Sequence, residues 1–343
     1  MKATTIYGAR DVRLEDQPDP SIHQPTDVIV KVVAACVCGS DLWPYRGDNP
    51  IEKPSRIGHE FVGVVEAVGA DVHTIKVGDF VVAPFTFSDG SCPNCQAGVQ
   101  SACVNGAAFG AGGVDGGQAE AVCVPFADST LVATPTAPAD ELVPSLLALT
   151  DVMATGWHAA VSARVQPGQT VVVVGDGAVG LSGVLAASRL GAERVVVMSR
   201  HASRQALART FGATHVVESR GDEAVAAIRE LTAGVGADAV LECVGTGESM
   251  TTAVEAARAG ATVGYVGVPH GVELPIRTMF ANNVAVAGGI APVRQYLPQL
   301  MGDVLAGAID PGQVFDLVLP LDEVAEGYAA MHERRAIKTL LRP

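Results

Sequence analysis

The chain has 343 residues, 48% hydrophobic and 17% charged, too long for one small core and composed like a packed globular protein rather than a disordered one. Its formal net charge of −14 excludes the basic surface that nucleic-acid phosphates require. Met1 opens into the strand-like KATTIY with no signal-peptide pattern, and apolar runs break before the ~20 residues of a spanning helix, so a cytoplasmic chain without a membrane partner is expected.

Up to about residue 150 the chain carries short β-rich runs, DVIVKVVAA (27–35) and FVGVVEAVG (61–69), punctuated by Pro and Gly. That texture predicts an irregular, partly barrel-like β domain. Three features within it suit a metal: Cys36-Val37-Cys38-Gly39-Ser40-Asp41 after a strand, Gly58-His59-Glu60 before another, and Asp151 opening DVMATGWHA. Three of the seven cysteines, Cys92, Cys95 and Cys103, lie close together. An odd count with no export signal favours metal ligation in a reducing compartment over a disulfide framework.

From Gly168 the rhythm changes. TVVVVG (170–175) is a continuous apolar run ending in glycine, as a parallel strand buried on both faces should read, and a helical stretch from Ala178 to Leu190 follows. Further strand-like runs are RVVVMS (194–199), HVV (215–217), DAVLECVG (238–245), ATVGYVGV (261–268) and VAVAGG (284–289). Strands alternating with helices predict a doubly wound parallel sheet. Gly175, Gly177 and Gly180 form G-x-G-x-x-G between a strand and a helix, the turn that lets a pyrophosphate approach the helix N-terminus. Methyltransferases share that context, so the sheet alone does not prove redox chemistry. At the end of the second strand an NAD site carries an acid, but here Ser199 and Arg200 follow Met198. They are suited to a ribose 2′-phosphate; otherwise Arg200 is a solvated residue at a strand end. The predicted domains are 1–151 completed by 290–343, and 152–289.

Taken in order, CGSD (38–41), GHE (58–60), GDFVVAPF (78–85), LTDVMATG (149–156), VVVVGDGAVG (171–180) and GGIAPVR (288–294) resemble the zinc-containing medium-chain alcohol dehydrogenases. The likeness runs along essentially the whole chain. It implies an α/β protein with a GroES-like, β-rich catalytic domain and a Rossmann domain. It puts a catalytic zinc on Cys38, His59 and Asp151, with Glu60 as a neighbour or an exchanging ligand. Three such ligands leave one coordination position open, and their two negative charges offset Zn²⁺. The family's structural-zinc lobe has four cysteines as C-x2-C-x2-C-x7-C. Here Asp89 takes the first place, ahead of Cys92, Cys95 and Cys103.

The resemblance also gives Ser40 the alcohol proton and places Trp43 where a histidine often completes the relay. Trp43, Phe85 and Phe109 are candidate pocket residues, or else ordinary core aromatics. Thr155 and Val179 are expected near the cofactor, Val244, Val266 and Val268 at the ends of later strands, and Lys338 at the pyrophosphate. The expected reaction is hydride transfer between NADP(H) and a small alcohol, aldehyde or ketone. Two alternatives are a zinc-free quinone or enoyl reductase, which would lack the Cys38/His59 pair, and a silent binding protein on the same fold. A homo-oligomer, dimer or tetramer, is expected, with VAVAGGIA (284–291) as a candidate edge strand for pairing.

Overall fold

Valine-rich alternation builds the first half of the chain, and continuous valine runs build the second. A computed structural model describes residues 1–343 and divides them into two compact units, Met1–Asp151 with Pro292–Pro343, and Val152–Ala291.

In the first unit a seven-stranded sheet runs in the order Val132–Ala133, Phe80–Ala83, Phe61–Val68, Val28–Cys36, Thr339–Arg342, Leu317–Pro320, with Ala121–Val124 also paired to Val28–Cys36. Val28, Val30, Val32, Phe61, Val65, Val81 and Val122 turn inward and are buried, the period-2 face expected of a half-covered strand. Two register shifts, between Ile29 and Val30 and between Val32 and Ala34, interrupt the central pairing with Phe61–Val68. Such bulges bend and twist a strand. At its far end Cys36 pairs with Leu340 and Ala35 with Phe61. The residues just beyond these strand ends, Cys38, His59, Glu60 and Lys338, therefore leave the sheet in one region.

The second unit is a six-stranded parallel sheet. Its strands are β1 (Thr170–Val174), β2 (Arg194–Met198), β3 (His215–Val217), β4 (Ala237–Glu242), β5 (Ala257–Tyr265) and β6 (Ala285–Gly288), in the order β3-β2-β1-β4-β5-β6. The connecting helices are α1 (Val152–Ser162), α2 (Ala178–Arg189), α3 (Ala202–Thr210), α4 (Gly221–Leu231), α5 (Gly247–Ala256) and α6 (Ile276–Asn282). Val171, Val172 and Val173 are fully buried, as a central parallel strand requires. The order reverses at β1, so β1 and β4 leave in opposite directions at the switch point where such sheets bind ligands.

Two strands stop earlier than the apolar runs suggest. β4 ends at Glu242 because its carboxylate Oε1 accepts the N–H groups of Val244 (2.9 Å) and Gly245 (2.8 Å), pulling the chain out of the ladder. β5 ends at Tyr265, and the Val266 N–H turns to the Glu242 carbonyl at 2.9 Å. Val244, Val266 and Val268 thus sit on loops at the carboxyl edge of the sheet. No helix is long and apolar enough to cross a membrane.

Candidate functional site

Cys38 lies two residues past the strand Val28–Cys36, and His59 and Glu60 immediately precede Phe61–Val68. Gly58 allows the approach. Its φ is +104°, and a Cβ there would meet the Gln118 side chain at 2.4 Å, so no other residue fits before His59. Asp151 is the last residue before α1. The ligand atoms of Cys38, His59, Glu60 and Asp151 all lie within 4.8 Å of one another. Asp151 Oδ2 is 3.5 Å from Cys38 Sγ and 3.4 Å from His59 Nε2. His59 Nδ1 faces Asp41 Oδ1 at 3.4 Å, and Asp41 Oδ2 accepts the Cys38 N–H at 2.9 Å.

The donor set fits zinc. It offers a thiolate, an imidazole nitrogen and carboxylate oxygens, and the second imidazole nitrogen is oriented by a carboxylate, the usual outer arrangement of a ligating histidine. Glu60 Oε1 is buried and has no hydrogen-bond partner. An orphaned acceptor in such a place suits a cation. The electrostatics agree. Burial disfavours the imidazolium of His59, but Asp41, Cys38 and the bond with Asp151 outweigh it and hold its pKa well above the ordinary value. Burial, then Glu60 and Asp151, raise the Cys38 thiol. A divalent cation reverses both trends, since it takes the neutral imidazole and stabilises the thiolate.

Lys338 is a correction to the expectation from the sequence. It is not free to reach a pyrophosphate: it is 1% exposed, and its Nζ donates to Glu60 Oε2 at 2.6 Å and to the Val37 carbonyl at 3.2 Å. A buried ammonium requires such a carboxylate. Cys36 Sγ donates to the same Glu60 oxygen at 3.0 Å. Glu60 therefore has one oxygen tied down by Lys338 and Cys36 and the other buried without a hydrogen-bond partner.

Of the expected pocket aromatics, Phe85 is half-buried, with its ring edge-on to His59 at 6.1 Å between centroids, and Trp43 is half-buried on the short helix Leu42–Arg46. Phe109 is a second correction. It is 1% exposed and packs T-shaped on Phe61 (5.1 Å) and edge-on to Phe87 (5.6 Å), so it belongs to the β-unit core. Ser40 is half-buried in the turn between Cys38 and that short helix.

The second cluster, Asp89, Cys92, Cys95 and Cys103, also has its ligand atoms within 4.8 Å of one another. The hairpin of Thr86–Phe87 with Ala107–Ala108 closes the loop that carries it. Asp89 Oδ1 accepts the N–H groups of Ser91 (2.8 Å) and Cys92 (3.0 Å), and Asn105 donates to its Oδ2 at 2.6 Å. The N–H groups of Cys92 and Ser91, with Asn105, hold its carboxyl well below the usual carboxylate range. The backbone N–H groups of Val104 and Cys95 draw the Cys92 thiol down, whereas burial and the neighbouring thiols push Cys95 up to about 12. One carboxylate and three thiols in this geometry fit a four-coordinate zinc. Elemental analysis is expected to find two zinc ions per chain, and one in Asp89→Ala with activity retained. A wild-type content near one would remove the lobe as a metal site.

In the second unit the glycine turn joins β1 to α2. A Cβ on Gly180 would meet the Gly175 carbonyl at 2.1 Å, so this glycine lets helix and strand approach. Gly177 is exposed, and a Cβ there would meet nothing within 4 Å, leaving open space before the α2 N-terminus. That cradle fits a pyrophosphate. Val179 is half-buried in the first turn of α2, and Thr155 is buried in α1. Val244 and Val268 are 42% and 53% exposed and Val266 is half-buried, an apolar rim at the carboxyl edge. Ser199 is buried just past β2, and its Oγ donates to Asp176 at 2.7 Å; Arg200 beside it is exposed. Sequence reasoning gave no role to Asp41, Cys36, Asn105, Asp176 and Arg204. Asp41 and Asp176 stood inside the quoted motifs CGSD and GDGAVG, which was the available signal.

Residues 24–136 match the family described as alcohol dehydrogenase GroES-like domain, and residues 178–306 match zinc-binding dehydrogenase. The chain is 38% identical over 349 residues to "Probable zinc-binding alcohol dehydrogenase Rv1895" of Mycobacterium tuberculosis, covering 100% of this chain and 89% of that protein. Alcohol dehydrogenase TADH from Thermus sp. ATN1 superposes with a TM-score of 0.93 at 31% identity, covering 100% of this chain and 99% of the other. A "putative zinc-binding dehydrogenase" from Sinorhizobium meliloti 1021, bound to NADP, superposes at 0.83 with 28% identity, covering 100% and 99%. With the ligand clusters and the glycine turn in place, these likenesses make the chain a member of the zinc-dependent medium-chain alcohol dehydrogenase family.

Proposed function

We propose that this oxidoreductase transfers hydride between NADP(H) and a small alcohol, aldehyde or ketone. The observation that carries the reading is the cluster of Cys38, His59 and Asp151 with Glu60 behind it. When bound, zinc supplies the Lewis acidity that acidifies an alcohol, and the nicotinamide supplies the hydride acceptor. The chain's residues do the rest. Cys38, His59 and Asp151 hold the metal, Asp41 fixes the imidazole, Ser40 takes the alcohol proton, and Phe85 and Trp43 give the substrate an apolar wall.

The phosphorylated cofactor is favoured by Arg200, an exposed cation beside Ser199 in a chain of net charge −14. The Sinorhizobium relative bound to NADP supports the same choice. A hydrogen bond to a charged group is worth about 1.5–3 kcal/mol, or roughly 10- to 150-fold in affinity. Arg200→Ala is therefore expected to weaken NADPH binding by that factor and leave NADH nearly unchanged, and Ser199→Asp to invert the preference. Following NADPH absorbance with a panel of aldehydes and quinones tests the reaction. Equal kcat/KM for NADH and NADPH in the wild type would sink the cofactor choice.

The seven cysteines are all free, three of them gathered around Asp89, which suits a reducing compartment such as the cytoplasm. Self-association through β6 is part of the same reading. β6 is an edge strand paired only with β5, and near it Phe280 is 87% exposed.

A further inference from the structure

Two charged residues with no role assigned above meet at the glycine turn. Asp176 stands between Gly175 and Gly177, and its Oδ2 accepts the Ser199 hydroxyl at 2.7 Å. Its Oδ1 pairs with Arg204 Nη1, on α3, at 3.2 Å; the two side chains are only 18% and 15% exposed. Arg204 Nη1 also lies 3.4 Å from the Asp176 carbonyl. One carboxylate thus engages the hydroxyl at the end of β2 and the cation that follows it, and Arg200 alone is left outside the arrangement.

The end of the second strand is where a Rossmann sheet reads the adenosine ribose. An acid there accepts bonds from ribose hydroxyls and repels a 2′-phosphate. In this chain an acid reaches the place from the glycine turn instead of from the strand end, and it is paired to a guanidinium. A phosphate would itself seek that guanidinium and that hydroxyl.

We propose that Asp176 is a specificity-determining residue, which sets the margin between phosphorylated and unphosphorylated adenosine ribose by competing with a 2′-phosphate for Ser199 and Arg204. Arg204 in turn cancels the charge that would otherwise close the place to phosphate. The inference rests on reading Val152–Ala291 as the dinucleotide unit. It differs from the Arg200 argument in assigning the opposing force, not the attraction. Neutralising Asp176 releases two partners to the phosphate and removes a repulsion. Removing Arg204 leaves the carboxylate uncompensated and has the opposite effect.

The test is titration calorimetry of the full chain with adenosine 2′,5′-bisphosphate and adenosine 5′-monophosphate, which differ only in the 2′-phosphate. The quantity read is the ratio of their affinities. Asp176→Asn, which keeps the shape but loses the charge that holds Arg204 and strengthens the Ser199 bond, is expected to raise the ratio by roughly tenfold or more. Arg204→Ala is expected to lower it by a similar factor, Arg204→Lys to keep it within about threefold, and Asp176→Asn added to Arg204→Ala to raise it again. A ratio unchanged within about twofold in both Asp176→Asn and Arg204→Ala would overturn the proposal. The cofactor reading fails on different data: a wild-type ratio near one that Arg200→Ala does not move.

Discussion

His59→Ala is expected to abolish turnover and to remove one of two zinc ions per chain, while NADPH still binds with affinity within about twofold of wild type. The imidazole is the one neutral donor in the cluster. Without it Cys38, Asp151 and Glu60 remain, buried acids with no nitrogen ligand to complete a catalytic set. Cofactor binding is expected to persist because the residues proposed for it, Gly175–Gly180, Ser199 and Arg200, all belong to Val152–Ala291, a unit with its own core of Val172, Val196, Val240 and Val263. Metal analysis and a fluorescence titration with NADPH on the same preparation check both halves. Full zinc content with undiminished rate would remove His59 from the centre.

Ser40→Ala is expected to keep both zinc ions and the cofactor and to slow the reaction roughly 10²–10⁴-fold, the range of a lost acid–base group. Ser40 follows Cys38 by two residues and carries a hydroxyl in that turn. Trp43, three residues later, cannot pass the proton on, because an indole N–H only donates. The onward path from Ser40 is therefore expected to bypass Trp43. Single-turnover rates with each variant isolate the step, and a Ser40→Ala enzyme as fast as wild type would end the relay.

The parallel sheet was legible because its central strands are buried on both faces and so consist of unbroken valine; Val171–Val173 and Val195–Val197 need no partner in sequence to be recognised. Their far ends were not. The runs at 238–245 and 261–268 stay apolar past the point where the Glu242 carboxylate and carbonyl draw the chain aside, and apolar residues on a loop read like those in a strand. Phe109 shows the same ambiguity, since an aromatic in a core and one in a pocket are spelled alike. Lys338 was misread for a different reason. Its partner Glu60 lies 278 residues away, and no local pattern announces that a lysine is buried. The members of both clusters were legible as residue types in order, but the contacts around them were not, for nothing in the sequence shows that Asp41 and Asn105 come within reach of His59 and Asp89.

The distance in sequence between Glu60 and Lys338 also bears on how the protein is made. At 5–20 residues per second, the 278 residues separating them take roughly 15–55 seconds to synthesise. Through that interval Glu60 has no cation behind it, and Cys36 has not yet met Leu340 across the sheet. The lobe is different: Asp89 and Cys103 are 14 residues apart, and the loop that joins them closes on a local hairpin. A nascent chain is therefore expected to capture its metal ions in sequence, the lobe's ion soon after Cys103 is made, the reactive one only after Lys338 has joined Glu60. An enzyme built this way does not assemble its chemistry until the rest of the fold exists to contain it.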